Sequence, residues 1–256
     1  MSGTVRFDVH DGVAEIVLDR PEKLNSVTTA MSRELFEIVD RVGTDDNIRV
    51  ALVTGAGGRA FCVGSDVGEV DGYPDPWQFR NRRDYCDALR ALRKPVVAAV
   101  DGYAYGGGLE LALSCDIRLA SDRASFAAAE IKLGWIGGGG VSALLSANLA
   151  AGDAALMLMT GDPVGAAEAH RMRLVSEVLP AAGLLPRARE LAATIAARPP
   201  IAAQSAKANL AAARSMAIEP AIQYEREMQA ICMATQDAAE GRAAFAEKRP
   251  AHFVGR

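Results

Sequence analysis

The sequence predicts an α/β core that is followed by a helical C-terminal region. Over roughly the first 120 residues, short β-rich runs alternate with segments of helical periodicity, which is typical of an α/β core. Strand patterns nearly vanish after about residue 138, where helical segments take over. Pro199 and Pro200 then interrupt the chain, so we expect a core over residues 1–198 and a helical region over 199–256.

Length and composition restrict the classes of protein to which the chain can belong. With 256 residues, 50% of them hydrophobic, and a net charge of −4, the chain can bury one large core. It has no basic run interleaved with aromatic residues, so we expect no nucleic-acid partner. No apolar run approaches the roughly 20 residues that cross a bilayer, and no signal-peptide pattern opens the chain, so we expect a cytoplasmic protein without a membrane partner. The four cysteines are widely spread, which predicts free thiols and no metal site.

The first predicted elements are two strands and a helix. Residues 5–10 and 13–18 are β-rich runs joined by Asp11-Gly12, a strong signal for a hairpin. Thr28 or Thr29 can cap the helix that follows. The apolar face of that helix is predicted to consist of Met31, Leu35, Ile38, Val39 and Val42.

Three further runs, residues 48–54, 96–100 and 115–120, have the composition of buried strands. Between the first two of these runs, residues 75–93 carry many charges with apolar residues at helical intervals, which predicts a surface helix. The preceding stretch over residues 68–75 is rich in Gly, Asp and Pro, so we expect it to be a mobile loop.

The C-terminal half is predicted to be largely helical, with one short strand over residues 175–179. The predicted helices before the proline pair cover residues 142–151, 154–159, 165–172 and 185–197. Beyond that pair, Pro220 fits the first turn of a helix, and Asp237 with Glu240 has the spacing of a capping box for another. A terminal helical layer packs either on a neighbouring subunit or on its own domain, and the sequence leaves both arrangements open.

The stretch from Tyr103 to Glu130 contains the strongest candidate site. Gly106, Gly107 and Gly108 precede an apolar helical run, and the N–H groups at such a helix start can bind an anion or a developing oxyanion. Glu110 lies beside this helix start. Glu130 follows in an apolar segment, where burial would raise its pKa and let it hold a proton near neutral pH.

A second turn, Gly64-Ser65-Asp66, offers further exposed backbone N–H groups. Two such donors on one carbonyl oxygen form an oxyanion hole, in which one donor is commonly worth about 10²–10³ in rate. Taken singly, each feature has a simpler explanation: a tight turn, a carboxylate favourable to the helix dipole, or a surface residue after a strand. The combination of two turns with two acids favours an active site.

Two other kinds of site agree less well with the sequence. Residues 55–60 fit a Gly-x-Gly-x-x-Ala dinucleotide fingerprint, but no helical pattern follows them. No tyrosine has a lysine four positions later, which a short-chain dehydrogenase would require. A serine hydrolase is equally disfavoured, because no Gly-x-Ser-x-Gly motif occurs and the three histidines show no partner spacing.

Five motifs, ordered along nearly the whole chain, carry a resemblance to a known family. They cover residues 20–25, 60–67, 101–110, 126–134 and 245–249. Together they resemble the crotonase superfamily, of which enoyl-CoA hydratase is the best-known member. In that superfamily they correspond, in order, to a CoA-binding loop, two oxyanion segments, the segment of the second acid and a C-terminal signature.

The resemblance implies a crotonase-like spiral of repeated β-β-α turns with a helical C-terminal region that forms a homotrimer, often as a dimer of trimers. It implies an acyl-CoA substrate, with coenzyme A bound as part of that substrate and no tightly bound cofactor. By motif, the oxyanion donors fall on the N–H groups of Ser65 and Gly107, and the catalytic acids on Glu110 and Glu130. The implied CoA-binding residues are Lys23, Leu24, Val63, Asp66, Val67 and Lys248, the last of which can come from a neighbouring subunit.

The presence of both acids favours hydration of a 2-enoyl-CoA to a 3-hydroxyacyl-CoA by a carbon–oxygen lyase. Ser65 and Gly107 would bind the thioester oxygen, Glu110 would deprotonate water for attack at C3, and Glu130 would deliver a proton to C2. Dehydration is the same reaction in reverse. Two alternatives remain: an enoyl-CoA isomerase, which typically needs one of these acids, and a non-catalytic acyl-CoA binding protein.

The sequence departs from the superfamily pattern at two places. Ala129 stands where the superfamily usually has proline before the second acid, and residues 135–142 replace a loop that often contains Pro and Gly-Gly-Thr. Both changes can move Glu130 or reshape the acyl pocket. A displacement near 1 Å can cost about 10²-fold in rate, so the positions of both acids are the central structural question.

Overall fold

The computed structural model describes residues 3–70 and 72–256, with the side chain of Val70 also outside the description. Strands β1 (Thr4–His10) and β2 (Val13–Asp19) form the predicted antiparallel hairpin. The connecting residues Asp11 and Gly12 have φ values of 49° and 79°, which is the backbone that a two-residue hairpin turn requires.

The hairpin begins a six-stranded sheet with the order β1-β2-β3-β5-β7-β10, in which every pair after the hairpin is parallel. The strands that follow the hairpin in this sheet are β3 (Val50–Gly55), β5 (Val96–Val100), β7 (Ile117–Ser121) and β10 (Glu177–Leu179). The four strands predicted over these regions are therefore confirmed, although three of them begin two residues later than expected.

A second, four-stranded sheet has the order β4-β6-β8-β9. Its strands are β4 (Ala60–Cys62), β6 (Tyr103–Tyr105), β8 (Ser125–Ala127) and β9 (Val164–Gly165), with only the β8–β9 pair antiparallel within the described ranges. Along the chain, β3, β5 and β7 of the large sheet are each followed by a strand of the small sheet and then by helical residues. This repeated β-β-α turn is the spiral that the resemblance implied.

Helices follow the first hairpin and the first two spiral turns. They are α1 (Thr29–Thr44), α2 (Val67–Val70), α3 (Pro76–Arg80), α4 (Tyr85–Ala91) and α5 (Gly107–Leu113). Thr28 caps α1 by accepting a hydrogen bond from the Met31 N–H at 3.2 Å. Four of the five predicted apolar residues of α1 are buried, and Ile38 is half-buried.

The prediction of a single surface helix over residues 75–93 is wrong. The segment forms two short helices, because the Asp84 carboxylate caps a new helix by accepting the Cys86 N–H at 3.0 Å. The second of these helices, α4, buries Tyr85, Cys86 and Leu89 in the core. The expected loop over residues 68–75 begins instead as part of α2, and Asp71 lies outside the described residues.

The C-terminal half is helical as predicted. Its helices are α6 (Val141–Asn148), α7 (Ala151–Thr160), α8 (Ala166–Arg171), α9 (Ala181–Ala196), α10 (Pro200–Ser215), α11 (Ile218–Met233) and α12 (Gln236–Glu247). No helix in the described ranges has the combined length and apolarity needed to cross a bilayer.

The large sheet is buried on both faces. Leu52, Val97 and Leu119 pack against alanines and leucines of α9, whereas Val53 and Ala98 face the main core between the sheets and α1. Parallel strands that are covered on both sides read as continuous apolar runs and not as alternating ones. This double coverage explains why β3 and β5 are recognisable from sequence.

The predicted capping role of Asp237 is wrong. Thr235 caps α12 by accepting the Ala238 N–H at 3.1 Å, while the Asp237 carboxylate accepts the N–H groups of Val254 and Gly255 at 2.7 and 2.8 Å. The last residues of the chain fold back over α12. Their backbone N–H groups need acceptors, and the buried Asp237 carboxylate serves them and not the start of the helix.

Candidate active site

The three consecutive glycines lie where β6 passes into α5, and each is required by the local geometry. Gly106 has φ 54° and ψ −127°, a backbone conformation that disfavours every residue with a side chain. A Cβ on Gly108 would overlap the carbonyl oxygen of Cys62 at the end of β4, and one on Gly107 would overlap the Tyr85 hydroxyl. The glycines therefore let the start of α5 approach the end of β4.

This close approach brings the two predicted turns together. A Cβ on Gly64 would lie 2.8 Å from the backbone nitrogen of Gly107, so Gly64-Ser65 and Gly106-Gly107 are in direct contact. Ser65 forms a parallel bridge with Val27, in which Val27 N–H donates to Gly64 O at 2.8 Å and Asp66 N–H donates to Val27 O at 2.9 Å. The N–H of Ser65 itself consequently points away from Val27.

Both of these N–H groups remain available for a ligand. Within residues 3–70 and 72–256, neither the Ser65 N–H nor the Gly107 N–H donates a hydrogen bond to another protein group. Both residues line the same cavity. Backbone N–H groups in folded proteins are nearly always paired, so two adjacent unpaired donors facing one cavity indicate a binding site for a carbonyl oxygen or an anion.

Glu110 extends from the first turn of α5 and is 4% exposed. Its Oε1 accepts the N–H of Gly139 at 2.8 Å and that of Val141 at 3.2 Å. Burial raises the pKa of the Glu110 carboxyl to about 7, and the charges of Glu130 and Asp84 act in the same direction. The two backbone N–H groups oppose this shift and hold the carboxylate in one orientation.

Glu130 belongs to the 3₁₀ helix Ala129–Leu133, which follows β8. Its Oε2 is buried and has no hydrogen-bond partner within the part of the chain that the structure describes. Burial raises the pKa of this carboxyl above its ordinary value, as the apolar sequence around it predicted. A buried oxygen without a partner favours the protonated form, which can donate its proton.

The two carboxylates face each other across the Gly137 backbone. A Cβ on Gly137 would lie 2.5 Å from Glu110 Oε1 and 3.0 Å from Glu130 Oε1, and the sum of these distances is an upper limit for the separation of the two oxygens. Glu130 Oε1 also lies 3.3 Å from the position of a Cβ on Gly106. Both acids and both turns therefore belong to one site.

The site lies in a cavity of about 700 Å³, within the usual range for ligand pockets. All four residues predicted as catalytic line it, together with Val63, Asp66 and Val67 from the predicted CoA-binding set. The cavity lining also includes apolar and aromatic side chains, which are Tyr73, Phe79, Leu133, Trp135 and Ile136.

Three predicted CoA-binding residues lie outside the cavity lining: Lys23, Leu24 and Lys248. Lys23 is close enough to Asp66 for its charge to help lower the pKa of that carboxyl, an effect caused mainly by the hydrogen bond from Arg20. Leu24 follows Lys23 in a left-handed conformation with φ 54°. Lys248 is exposed and ends α12, and the structure of one chain does not bring it to the other residues.

Sequence reasoning missed several residues that shape the site. Arg20 is buried and donates to Asp66 Oδ2 at 2.6 Å, which anchors the turn that contains Ser65. Arg90 donates to Gly139 O at 2.9 Å and thereby supports the loop that binds Glu110. Tyr85 places its hydroxyl beside Gly107. Arg20 was detectable as part of the first motif, whereas Arg90 and Tyr85 were hidden in the segment read as a surface helix.

The fold and the site define a class of protein: an α/β spiral that holds two carboxylates and two unpaired backbone N–H groups in one cavity. The chain belongs to the enoyl-CoA hydratase/isomerase family, whose model matches residues 8–256, and thus to the crotonase superfamily that the motifs indicated.

Individual relatives cover nearly the entire chain. It is 37% identical over 253 residues to (E)-benzylidenesuccinyl-CoA hydratase of Thauera aromatica, covering 98% of this chain and 99% of the relative. It is 38% identical over 265 residues to carnitinyl-CoA dehydratase of Proteus mirabilis, covering 100% of both chains. A crystal structure of enoyl-CoA hydratase from Bacillus anthracis superimposes with a TM-score of 0.94 at 34% identity, covering 99% of this chain and 100% of that chain.

Proposed function

We propose that the protein hydrates a 2-enoyl-CoA thioester to a 3-hydroxyacyl-CoA, or catalyses the reverse dehydration, in the cavity that the two turns and the two acids line. The observation that carries this proposal is the convergence of Glu110 and Glu130 on the same cavity as the unpaired N–H groups of Ser65 and Gly107. Membership of the enoyl-CoA hydratase/isomerase family supports it.

In the proposed reaction, the thioester oxygen accepts hydrogen bonds from the N–H groups of Ser65 and Gly107. These bonds withdraw electron density from the conjugated double bond, so that C3 becomes open to attack by water. Negative charge then accumulates on the thioester oxygen, where the two donors already point. The donors act as an oxyanion hole, and because they are backbone groups they need little reorganisation during the reaction.

The two acids act on the other atoms of the double bond. Glu110 takes a proton from water while the water oxygen bonds to C3. Glu130 gives its proton to C2, so that the elements of water are added across the double bond. Both pKa shifts support these roles, because burial raises the pKa of Glu110 to about 7 and raises that of Glu130 above its ordinary value, which brings both groups closer to neutral pH. An isomerase would need only one of these groups, so their joint presence favours hydration.

We propose further that the acyl group is bulky and apolar or aromatic. The cavity lining includes Trp135, Ile136 and Phe79, which are 43%, 72% and 40% exposed and which a substrate of this kind would cover. One relative is named as a hydratase of a benzylidene-substituted succinyl-CoA, which carries an aromatic ring next to the reacting double bond. A panel of straight-chain and aryl-substituted enoyl-CoA esters tests this, with a higher kcat/KM for the aryl esters as the expected result.

The coenzyme A portion is proposed to bind along Val63, Asp66 and Val67, with Lys23 and Leu24 at its border and no separate cofactor. Lys248 is proposed to reach the phosphates from a neighbouring subunit. The helical region over residues 199–256 is proposed to form the interface of a homotrimer or a dimer of trimers. Exposed apolar side chains there support this arrangement, among them Leu210, Ile218 and Phe245 at 66%, 75% and 87% exposure. Light scattering of the purified protein measures the assembly.

A cytoplasmic location is part of the same proposal. All four cysteines are free thiols, and three of them are buried. Free thiols suit a reducing compartment, since structural disulfides are typical of secreted proteins. A fractionation experiment that finds the chain outside the cytoplasm would contradict this location without affecting the proposed chemistry.

The proposed reaction is tested by the loss of the near-ultraviolet absorbance of the conjugated thioester when crotonyl-CoA and longer esters are added. Glu110→Gln and Glu130→Gln preserve side-chain shape but remove proton transfer, and each is expected to lower kcat by about 10²–10⁴-fold. Glu37→Gln on the exposed face of α1 is the matched control and should leave kcat unchanged. Wild-type-like turnover in either active-site variant would contradict the mechanism.

Two assays separate the alternatives. Oxygen-18 water enters the product of a hydratase but not that of an isomerase. Tight binding of acyl-CoA esters without turnover across the whole panel would indicate a non-catalytic binding protein. In that case both Gln variants, like the wild type, would bind the esters without converting them.

A further inference from the structure

A buried phenol lies at the junction of the two turns and has no role in the reaction proposed so far. Tyr85 is the first residue of α4 and is only 6% exposed, yet it lines the cavity. Its hydroxyl would overlap a Cβ on Gly107, so it lies directly beside one of the two unpaired N–H groups. The Ser65 hydroxyl donates to the Tyr85 Oη at 3.4 Å, which places the phenol beside the other turn as well.

The hydrogen of this phenol has no acceptor in residues 3–70 and 72–256. The contact with Ser65 has the geometry of a hydrogen bond in which Ser65 is the donor, and the Tyr85 O–H donates to no other described group. A buried tyrosine hydroxyl usually finds a partner, because leaving it unpaired costs roughly 1–3 kcal/mol. An unpaired O–H at the wall of a substrate cavity therefore indicates an acceptor on the ligand.

The phenol remains protonated over the pH range in which the protein would act. Burial raises the pKa of Tyr85 well above its ordinary value, and the neighbouring thiols of Cys86 and Cys62 and the Asp84 carboxylate act in the same direction. The hydrogen bond from Ser65 opposes this effect. Tyr85 is thus a donor and not a base.

We propose that the Tyr85 O–H donates a third hydrogen bond to the substrate thioester oxygen as that oxygen becomes an enolate. The inference rests on the proposed function, because it assigns Tyr85 to the same oxygen that Ser65 and Gly107 bind. A ground-state carbonyl oxygen has two lone pairs, which the two N–H groups occupy, whereas an enolate oxygen has a third. The third donor therefore acts mainly in the transition state, which is the kind of interaction that raises kcat.

The Ser65 side chain orients this donor. By donating to the Tyr85 Oη it occupies an acceptor position of the phenol oxygen, which leaves the O–H hydrogen directed away from Ser65 Oγ. Ser65 would then contribute twice: its backbone N–H binds the thioester oxygen, and its hydroxyl orients the phenol that binds the same oxygen. Ser65→Ala removes the second contribution and keeps the first.

The test is Tyr85→Phe, with Tyr103→Phe as the matched control, since Tyr103 is 40% exposed and lies outside the cavity lining. Tyr85→Phe should lower kcat for crotonyl-CoA by about 10²–10³-fold with a smaller change in KM, as expected for one donor to an oxyanion. Tyr103→Phe should match the wild type. Unchanged kcat in Tyr85→Phe would overturn the proposal.

A second readout separates a direct bond to the enolate from a structural role. Acetoacetyl-CoA can bind as its enolate, which has its own near-ultraviolet band, whereas saturated butyryl-CoA cannot. Tyr85→Phe should weaken binding of the enolate by a factor similar to the loss in kcat and leave butyryl-CoA binding within about twofold. Equal weakening of both ligands would assign Tyr85 to packing and overturn the proposal.

These measurements also distinguish failure of the inference from failure of the proposed function. If the wild type hydrates no enoyl-CoA, the proposed function fails, while the enolate titration still tests Tyr85. If Tyr85→Phe does not fold, Ser65→Ala takes its place and should weaken enolate binding about threefold with butyryl-CoA binding unchanged. An unaltered enolate affinity in Ser65→Ala would then overturn the proposal.

Discussion

Glu110 and Glu130 share one cavity, but the protein holds them in different ways. Glu110 is more deeply buried, and two backbone N–H groups of the 139–141 loop fix its Oε1. Glu130 has a buried Oε2 without any partner in the described ranges. Burial raises the pKa of both carboxyls, and this shift is opposed by the N–H groups of Gly139 and Val141 at Glu110 but only by the residue's own N–H at Glu130.

The difference agrees with the opposite tasks proposed for these two identical side chains. Hydrogen bonds to a carboxylate favour the ionised form and fix its direction, which suits a base that must position water. A buried carboxyl with fewer such bonds keeps its proton more readily and suits an acid. The element that contains each residue sets its surroundings, because α5 directs Glu110 toward the 139–141 loop while the 3₁₀ helix places Glu130 in the cavity lining.

The largest expected effect is on hydrogen exchange at C2, the atom on which Glu130 but not Glu110 is proposed to act. A saturated acyl-CoA in deuterium oxide should exchange its C2 protons in the wild type and in Glu110→Gln. Glu130→Gln should lose this exchange by about 10²–10⁴-fold, since general acid–base catalysis has that magnitude. Exchange that is lost equally in both variants would contradict the division of tasks. NMR spectroscopy of the substrate measures the rates.

The next effect concerns the cost of burying Glu110. Because its folded-state pKa is about 7 and therefore above the ordinary value of 4.5, the folded state binds the proton more tightly than the unfolded state. Stability from this group is full below about pH 4.5 and is lost as pH rises through about 7. Glu110→Gln should therefore gain up to about 3 kcal/mol relative to the wild type at pH 8 and little at pH 4.

Urea unfolding at both pH values measures this difference, with Glu37→Gln as the control. A stability gain in Glu110→Gln that is the same at pH 4 and pH 8 would show that the ionisation of Glu110 is not its cause.

A smaller effect is expected from moving Glu110 without altering its chemistry. A Cβ on Gly139 would lie 2.6 Å from Glu110 Oε2, so Gly139→Ala must displace the carboxylate. A displacement near 1 Å should lower kcat by about 10²-fold. Gly152→Ala in α7 is the matched control, because a Cβ there meets no atom within 4 Å, and it should retain full activity. Equal activity of the two variants would show that the loop does not position the base.

The smallest effect is expected from removing the charge of Asp84, which influences one of the two acids and not the other. The charge of Asp84 helps to raise the pKa of Glu110 but is not among the causes of the Glu130 shift. Asp84→Asn should therefore move the acidic limb of the pH–rate profile to lower pH and leave the alkaline limb in place. The change in rate should be less than about tenfold at any pH, because burial is the main cause of the Glu110 shift and Asp84 is one of the smaller ones. Movement of both limbs would contradict this assignment.

Most of the fold was predictable because its strands and helices carry local patterns. The Asp11-Gly12 hairpin, the apolar runs of β3 and β5 and the Thr28 cap of α1 all lie within short segments. The prediction of one helix over residues 75–93 was wrong because a helical pattern does not reveal where a polar side chain caps a new helix. Asp84 does so here, and the face read as a surface is turned into the core.

The α/β class, the glycines that open the start of α5, and the two candidate acids with their two turns were all recognisable from local sequence patterns. The folded chain was needed to find that Gly64 touches Gly107, that the loop at Gly139 holds Glu110, and that Tyr85 lies beside Gly107 and Ser65. Each of these contacts joins residues that are distant in the chain, so it depends on how the spiral turns pack and not on local propensity.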